Sequence, residues 1–172
     1  MPTPAYIRIE GENQGLITQG ALTQDSVGGL WKRGHEDEIL IHAFKHKIER
    51  PSDPNSGTLT GLAIHGPLNI TKVIDKSSPL LYNALVNGET LTTCEIRCFR
   101  TNTNGEQEHF FSINLEDAIV VEIESNMPHC QDPNMKNFIH MEEISFRYQK
   151  ITWSHEISGT TGMHDWQGPQ ES

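Results

Sequence analysis

Apolar and polar residues alternate with a period of two along most of this chain, the pattern of strands that bury one face. Ala5 to Glu10 sets Tyr6, Arg8 and Glu10 against Ile7 and Ile9. Glycines punctuate Gly11 to Gly34, with a strand expected near Leu16–Leu22. From Ile39 to Ile48 the alternation predicts one longer strand. Leu40, His42, Phe44, His46 and Ile48 share one side of it, and Ile39, Ile41, Ala43, Lys45 and Lys47 the other. Extended structure resumes over Gly61–Val73. Pro67 fits there only at an edge or a strand start, because it lacks the N–H that a ladder needs. Cys94–Arg100, Glu108–Leu115 and Glu142–Trp153 alternate again, the last with Ile144, Phe146 and Tyr148 on one face. Asn104-Gly105 marks a hairpin turn, and Ala118–Ile123 reads as a buried strand.

One stretch changes period. Ser78 is a good helix N-cap, Pro79 suits the first helical position, and Leu80, Leu81, Ala84 and Leu85 make an apolar stripe. Asn87-Gly88 offers a left-handed stop. A helix over about residues 78–87 is too short to persist alone in water and must pack on something. Eight or so short strands, one helix and glycine-marked turns predict a mainly β chain, an antiparallel barrel or sandwich. The expected organisation is a single domain over 1–158, then a flexible tail over 159–172 that carries Trp166. That indole is open to three readings: folded back on its own barrel, docked on another subunit, or disordered.

Length agrees with one domain: 172 residues can build one sizeable core without staples. The hydrophobic share of 35% points to a thin core, or to a subunit completed by its neighbours. Charge narrows the partners. Lys and Arg number 13 against 23 Asp and Glu, a net −10, and the cations are scattered, so no nucleic-acid surface or anionic-membrane surface is expected. The longest apolar run, Ala118-Ile119-Val120-Val121, is far below the about 20 residues a spanning helix needs. Met1 to Gly11 shows no basic stretch followed by an apolar one. The expectation is a chain made in the cytoplasm that leaves, if it leaves, by a route other than the general secretory one.

Candidate chemistry is sparse. Cys94, Cys98 and Cys130 are an odd count, which argues for reduced thiols. Cys94 and Cys98 lie four residues apart on an expected strand, about 13 Å, beyond the about 7 Å a disulfide allows. His42 and His46 face the same constraint and cannot share one ion on a strand. There is no H-x-H pair, no zincin pattern after His35-Glu36, no G-x-S-x-G elbow and no phosphate-binding glycine loop. His129-Cys130 is a weak signal, and the carboxylates of Glu36-Asp37-Glu38 read as a solvated face. No catalytic residue, metal site or cofactor is expected.

The stretch Lys72-Val73-Ile74-Asp75-Lys76-Ser77-Ser78-Pro79-Leu80-Leu81 resembles the hemolysin-coregulated protein (Hcp) family, the inner tube of the bacterial type VI secretion system. Gly34-His35-Glu36-Asp37-Glu38, Glu108-His109-Phe110-Phe111, Met127-Pro128-His129-Cys130-Gln131-Asp132-Pro133 and Tyr148-Gln149-Lys150-Ile151-Thr152-Trp153 agree with it, in order along the chain, and stand nearest the enterobacterial and vibrio-like branch. The resemblance implies a two-sheet β-barrel with a flanking helix. It further implies a homo-hexameric ring, rings stacked into tubes, and partnership with a spike protein, a contractile sheath and effector proteins held in the lumen. Such a protein ends up outside the cell and is not an enzyme. The Arg50–Gly61 segment, long, polar and dense in turn formers, is the expected ring-to-ring contact, through Arg50, Ser52, Asp53, Asn55, Ser56 and Thr58. The alternative is a barrel binding a small molecule or metal, possibly as an enzyme. A six-fold mass in solution separates the first reading from the second.

Overall fold

The computed structural model describes residues 3–135 and 139–165. Strand β1 (Ala5–Gly11) turns back into the short β2 (Gly15–Leu16), so the strand expected to Leu22 stops early. A helical turn α1 (Gln24–Val27) and a 3-10 turn (Gly28–Leu30) follow, both unexpected. The run from Ile39 is not one strand but three: β3 (Ile39–Ile41), β4 (Ala43–Lys45) and β5 (Ile48–Glu49). Then come β6 (Ile64–His65), β7 (Leu68–Val73), α2 (Ser78–Asn87), β8 (Leu91–Thr101), β9 (Gln107–Glu116), β10 (Ile119–Asn126), a 3-10 turn (Pro133–Met135), β11 (Met141–Arg147), β12 (Lys150–His155) and β13 (Thr160–Asp165).

All strand pairs are antiparallel. Among the described residues one sheet runs β13-β12-β9-β8-β1-β2, with β3 also on β1, and a second runs β10-β11-β7-β4. The chain passes between them four times, once through α2 from β7 to β8 and three times at tight corners. At His42 it leaves β3, paired with β1, for β4, paired with β7. At Asp117, which takes a left-handed φ of 51°, it leaves β9 for β10. Between β11 and β12 it turns through Tyr148 and Gln149. Alternation carries across such corners because the buried face stays the same, which is why the sequence read two of these breaks as continuous strands. The two sheets enclose the core without hydrogen-bonding into a closed barrel. Ile7, Ile9, Ile96, Leu115 and Ile151 from one sheet meet Leu68, Ile70, Ile144 and Phe146 from the other, all buried.

Helix α2 spans the predicted residues and buries Leu81 and Ala84. Its cap differs from expectation. Ser77 holds the N-cap position and makes no capping bond with its side chain, because both serine hydroxyls are engaged elsewhere. Gly88 ends the helix at φ 61° and ψ 36°, the left-handed stop, a geometry that suits glycine because it has no Cβ.

Two further expectations are corrected. β10 is an exposed edge strand in which only Val120 is buried, since it pairs with β11 on one side alone. The tail expected from residue 159 begins instead with β13, laid along β12 from Lys150↔Asp165 to His155↔Thr160. The run Ser158–Gly162 looks loop-like by composition, but the ladder bonds any backbone that can extend beside it. Trp166 lies outside the described residues.

Candidate functional site

Arg50, Ser52, Asp53, Asn55, Ser56 and Thr58 lie together on one ordered β-hairpin projecting between β5 and β6. Its stem is the pair Ile48↔His65 and Glu49↔Ile64, and the ladder continues through a bridge between Ser52 and Leu59. The Thr60 N–H donates to Pro51 O at 2.9 Å and the Asp53 N–H to Thr58 O at 2.7 Å. Arg50 Nε donates to Gly61 O at 3.2 Å. At the tip Asp53 Oδ1 accepts from the Asn55 N–H at 2.8 Å. That bond holds the Asp53 carboxyl below the usual carboxylate range, with help from Ser56. Ser56 Oγ donates to Thr58 Oγ1 at 3.0 Å. Gly57 closes the turn at φ 72°, so Asp53, Asn55, Ser56 and Thr58 shape the tip while Arg50 and Ser52 sit in the ladder below it.

The hairpin carries more than polar groups. Leu59, Leu62 and Ile64 are 55%, 61% and 56% exposed, and Ile48 joins them at the stem. Exposed apolar side chains grouped on one projection mark a surface made to be covered. The expected contact named only the polar residues of Arg50–Gly61, so Leu59 within it and Leu62 just beyond it went unremarked. Two leucines in a turn-rich segment without alternation were the available clue.

Of residues 47–64, all described, none is buried, so the hairpin has almost no packing of its own on the body. It is held at the base instead. His46 Nε2 and His65 Nδ1 both bond the Tyr148 hydroxyl, at 2.8 and 2.6 Å. His65 Nε2 bonds His164 Nδ1 at 2.7 Å, and those rings stack with centroids 4.9 Å apart. Arg147 Nη1 donates to His65 O at 3.4 Å. Burial lowers the pKa of His65, with His164 and His46 adding to the effect, and burial lowers that of His46. Burial pushes the Tyr148 phenol up to about 12.

The most specific block in the sequence builds no such surface. Lys72 is fully buried. Its ammonium reaches Asp75 Oδ1 and Ser78 Oγ, both at 3.1 Å, and Val73 O at 3.0 Å, and it is paired with Glu142 from β11. Ser78 Oγ also accepts from the Asp75 N–H at 3.0 Å and donates to Glu142 Oε1 at 2.6 Å. Asp75 Oδ1 accepts from the Ser77 N–H at 2.9 Å and from the Ser77 hydroxyl. The knot ties β7 and the start of α2 to β11.

The other candidates resolve into structural contacts. In the run Glu36-Asp37-Glu38, expected to be solvated, Glu38 is buried and paired with Arg97 and with His35 Nδ1. The ring of His35 stacks on Tyr6 at 3.8 Å. Ser112 Oγ lies 2.7 Å from His109 Nε2, but this histidine stacks on Phe99 and no carboxylate bond to it orients it among the described contacts. Burial raises the Cys98 thiol and pushes Cys94 up to about 12, so both stay protonated and unreactive. All three cysteines are free. Among the described residues no three His, Cys, Asp or Glu side chains come together as a metal site.

Comparison with known proteins gives the surface its context. The family model "Type VI secretion system effector, Hcp" matches residues 6–155. The "Major exported protein" of Pseudomonas aeruginosa is 52% identical over 169 residues, 98% of each chain. A crystal structure of an Hcp protein superposes with a TM-score of 0.92 at 44% identity, covering 98% of this chain and 100% of that one. Hcp1 of Escherichia coli EAEC 042 gives 0.77 at 30%, covering 96% and 99%. The pseudomonad relative shares more of its sequence with this chain than the Escherichia coli protein does. The chain belongs to the Hcp family, the exported tube proteins of the type VI secretion system.

Proposed function

We propose that this chain is a ring subunit acting by shape, with no bond made or broken. Six copies close side by side into a ring, rings stack into a tube, and the hairpin from Arg50 to Gly61 makes the ring-to-ring contact. The tube works with a spike protein, a contractile sheath and effectors held in its lumen. It is assembled in the cytoplasm and then leaves the cell. One observation supports the contact above all: an ordered hairpin, free of body packing, bears Leu59, Leu62 and Ile64 in solvent. A closed ring needs two different faces of each subunit to meet. The exposed edge of β10, with Ile119 and Val121 in solvent, offers an apolar surface for one of them.

Replacing residues 50–61 with a two-residue turn is the test. Rings should still form, with a six-fold mass by light scattering, while tubes in electron micrographs shorten to single rings or short stacks. Unchanged tube length with intact rings overturns the assignment. Charge gives a second handle. Six copies at −10 each put about −60 on a ring, and such repulsion is screened over roughly 8 Å at physiological salt. Stacking should strengthen as salt is added, and light scattering without salt dependence would count against it.

A further inference from the structure

The hairpin's base is a chain of four rings, and its proton count has a consequence. Three bonds link it: His46 Nε2 to Tyr148 Oη, Tyr148 Oη to His65 Nδ1, and His65 Nε2 to His164 Nδ1. With neutral imidazoles each gap holds one proton, and the chain closes without conflict. One added proton on His65 can be absorbed, since Tyr148 can accept from both neighbouring imidazoles with its own proton turned away. A second, on His164, cannot. It sets an N–H of His164 against an N–H of His65 across 2.7 Å, with two positive rings stacked.

We propose that the His65–His164 pair is a pH-sensitive latch that docks the β5–β6 hairpin on the body near neutrality and releases it on acidification. The elements it joins are the base of the hairpin and β13, and the hairpin adds little packing of its own, since none of residues 47–64 is fully buried.

The surrounding charges set the direction. Lys45 and Lys47 flank His46, with Glu49 on Lys47 at 2.8 Å. Arg147 bonds the His65 carbonyl. Lys150 of β12 pairs across the ladder with Asp165 of β13 and lies 3.8 Å from Glu116 of β9. Arg147 is the cation held against His65, through its carbonyl, and the neighbouring imidazoles His164 and His46 oppose a charge on it. The folded pKa values of His65 and His46 lie below the unfolded value of 6.5, chiefly through burial. A histidine with a lowered folded pKa contributes stability that is fully present above the unfolded pKa and is lost as pH falls through the folded one. The docked state is therefore complete above the unfolded histidine pKa and weakens as pH falls below it. Tyr148 remains a neutral phenol throughout that window.

Hydrogen exchange read by mass spectrometry on the assembled protein tests the latch at pH 7.5 and 5.0, with rates corrected for the intrinsic effect of pH. The Gly66 N–H, bonded to Lys47 O at 2.9 Å, and the amides of the β5–β6 stem should lose protection about ten-fold or more at pH 5.0, while β8 amides hold. His164→Gln, which keeps a polar partner that cannot take a proton, should abolish the pH step. Tyr148→Phe, which removes the hub but keeps the ring, should leave the stem unprotected at both pH values. Equal protection of wild type at both pH values, or a full pH step in His164→Gln, overturns the latch. An effect on tubes also rests on the hairpin being the ring-to-ring contact, and the two ideas part cleanly. If the stem opens at pH 5.0 and tubes keep their length, the latch stands and the contact assignment falls. If tubes shorten while the stem stays protected, the latch falls.

Discussion

Lys72 and His65 are both buried polar side chains, seven residues apart in the chain, and the protein holds them in opposite ways. Around Lys72 the cation is met by two carboxylates, a hydroxyl and a carbonyl, and the serines and backbone N–H groups complete the oxygens. Around His65 the partners are neutral rings whose bonds depend on where single protons sit. A buried charge with full partners is hard to undo, because removing any member strands the others. A neutral imidazole chain is satisfied only while its proton count is right. The first arrangement fixes the fold, and the second leaves an appendage that conditions can move. If the hairpin is the ring-to-ring contact proposed above, a fixed body and a releasable appendage suit a tube that is built and then taken apart.

The largest effect should come from breaking the knot. Lys72→Met leaves Asp75 and Glu142 buried without their cation and should lower folding stability by about 3–5 kcal/mol, read as a shift in the urea midpoint. Adding Asp75→Asn and Glu142→Gln to the same variant removes the stranded charges and should recover part of the loss. A loss below about 1 kcal/mol in Lys72→Met would mean that water reaches the site and that the two regions do not differ as argued.

Two glycines sharpen the contrast. Gly57 at the hairpin tip and Gly88 behind α2 both take left-handed backbone, at φ 72° and 61°, and a Cβ at either would meet nothing within 4 Å. Alanine therefore adds only backbone strain, about 1 kcal/mol. Gly88→Ala should appear in global stability, because α2 packs on the core through Leu81 and Ala84. Gly57→Ala should leave the urea midpoint unchanged and raise only the exchange of the Asp53 and Thr60 amides. Equal global losses would show that the hairpin folds with the body as one unit.

How much of this the sequence could tell follows the same division. The α2 boundaries, the strands from Leu91 to Glu116 and the core face of Ile144, Phe146 and Tyr148 were legible, because periodicity reports burial directly. The knot was visible only as a family-like block. Lys72 falls on the same face as Leu68 and Ile70, so alternation places it inside, but nothing local announces that Glu142, seventy residues on, meets it there. The ring chain was illegible for the same reason: His46, His65, Tyr148 and His164 sit on four separate segments. The projecting loop was correctly placed by its turn formers and described only by half, since turn chemistry explains shape and says nothing of the leucines it carries.

Those leucines give the finest test. In Leu59→Ser combined with Leu62→Ser, both side chains leave solvent for nothing in the folded monomer, being 55% and 61% exposed. Folding stability should move by less than about 0.5 kcal/mol, and rings should keep their mass. Stacking should weaken, because each covered leucine contributes through the apolar area that neighbouring rings remove from water. Tube length should fall while the urea midpoint stays put. Should length hold, the contact resides in the polar tip that Asp53, Asn55 and Ser56 shape, and substitutions at those residues would then carry the whole effect.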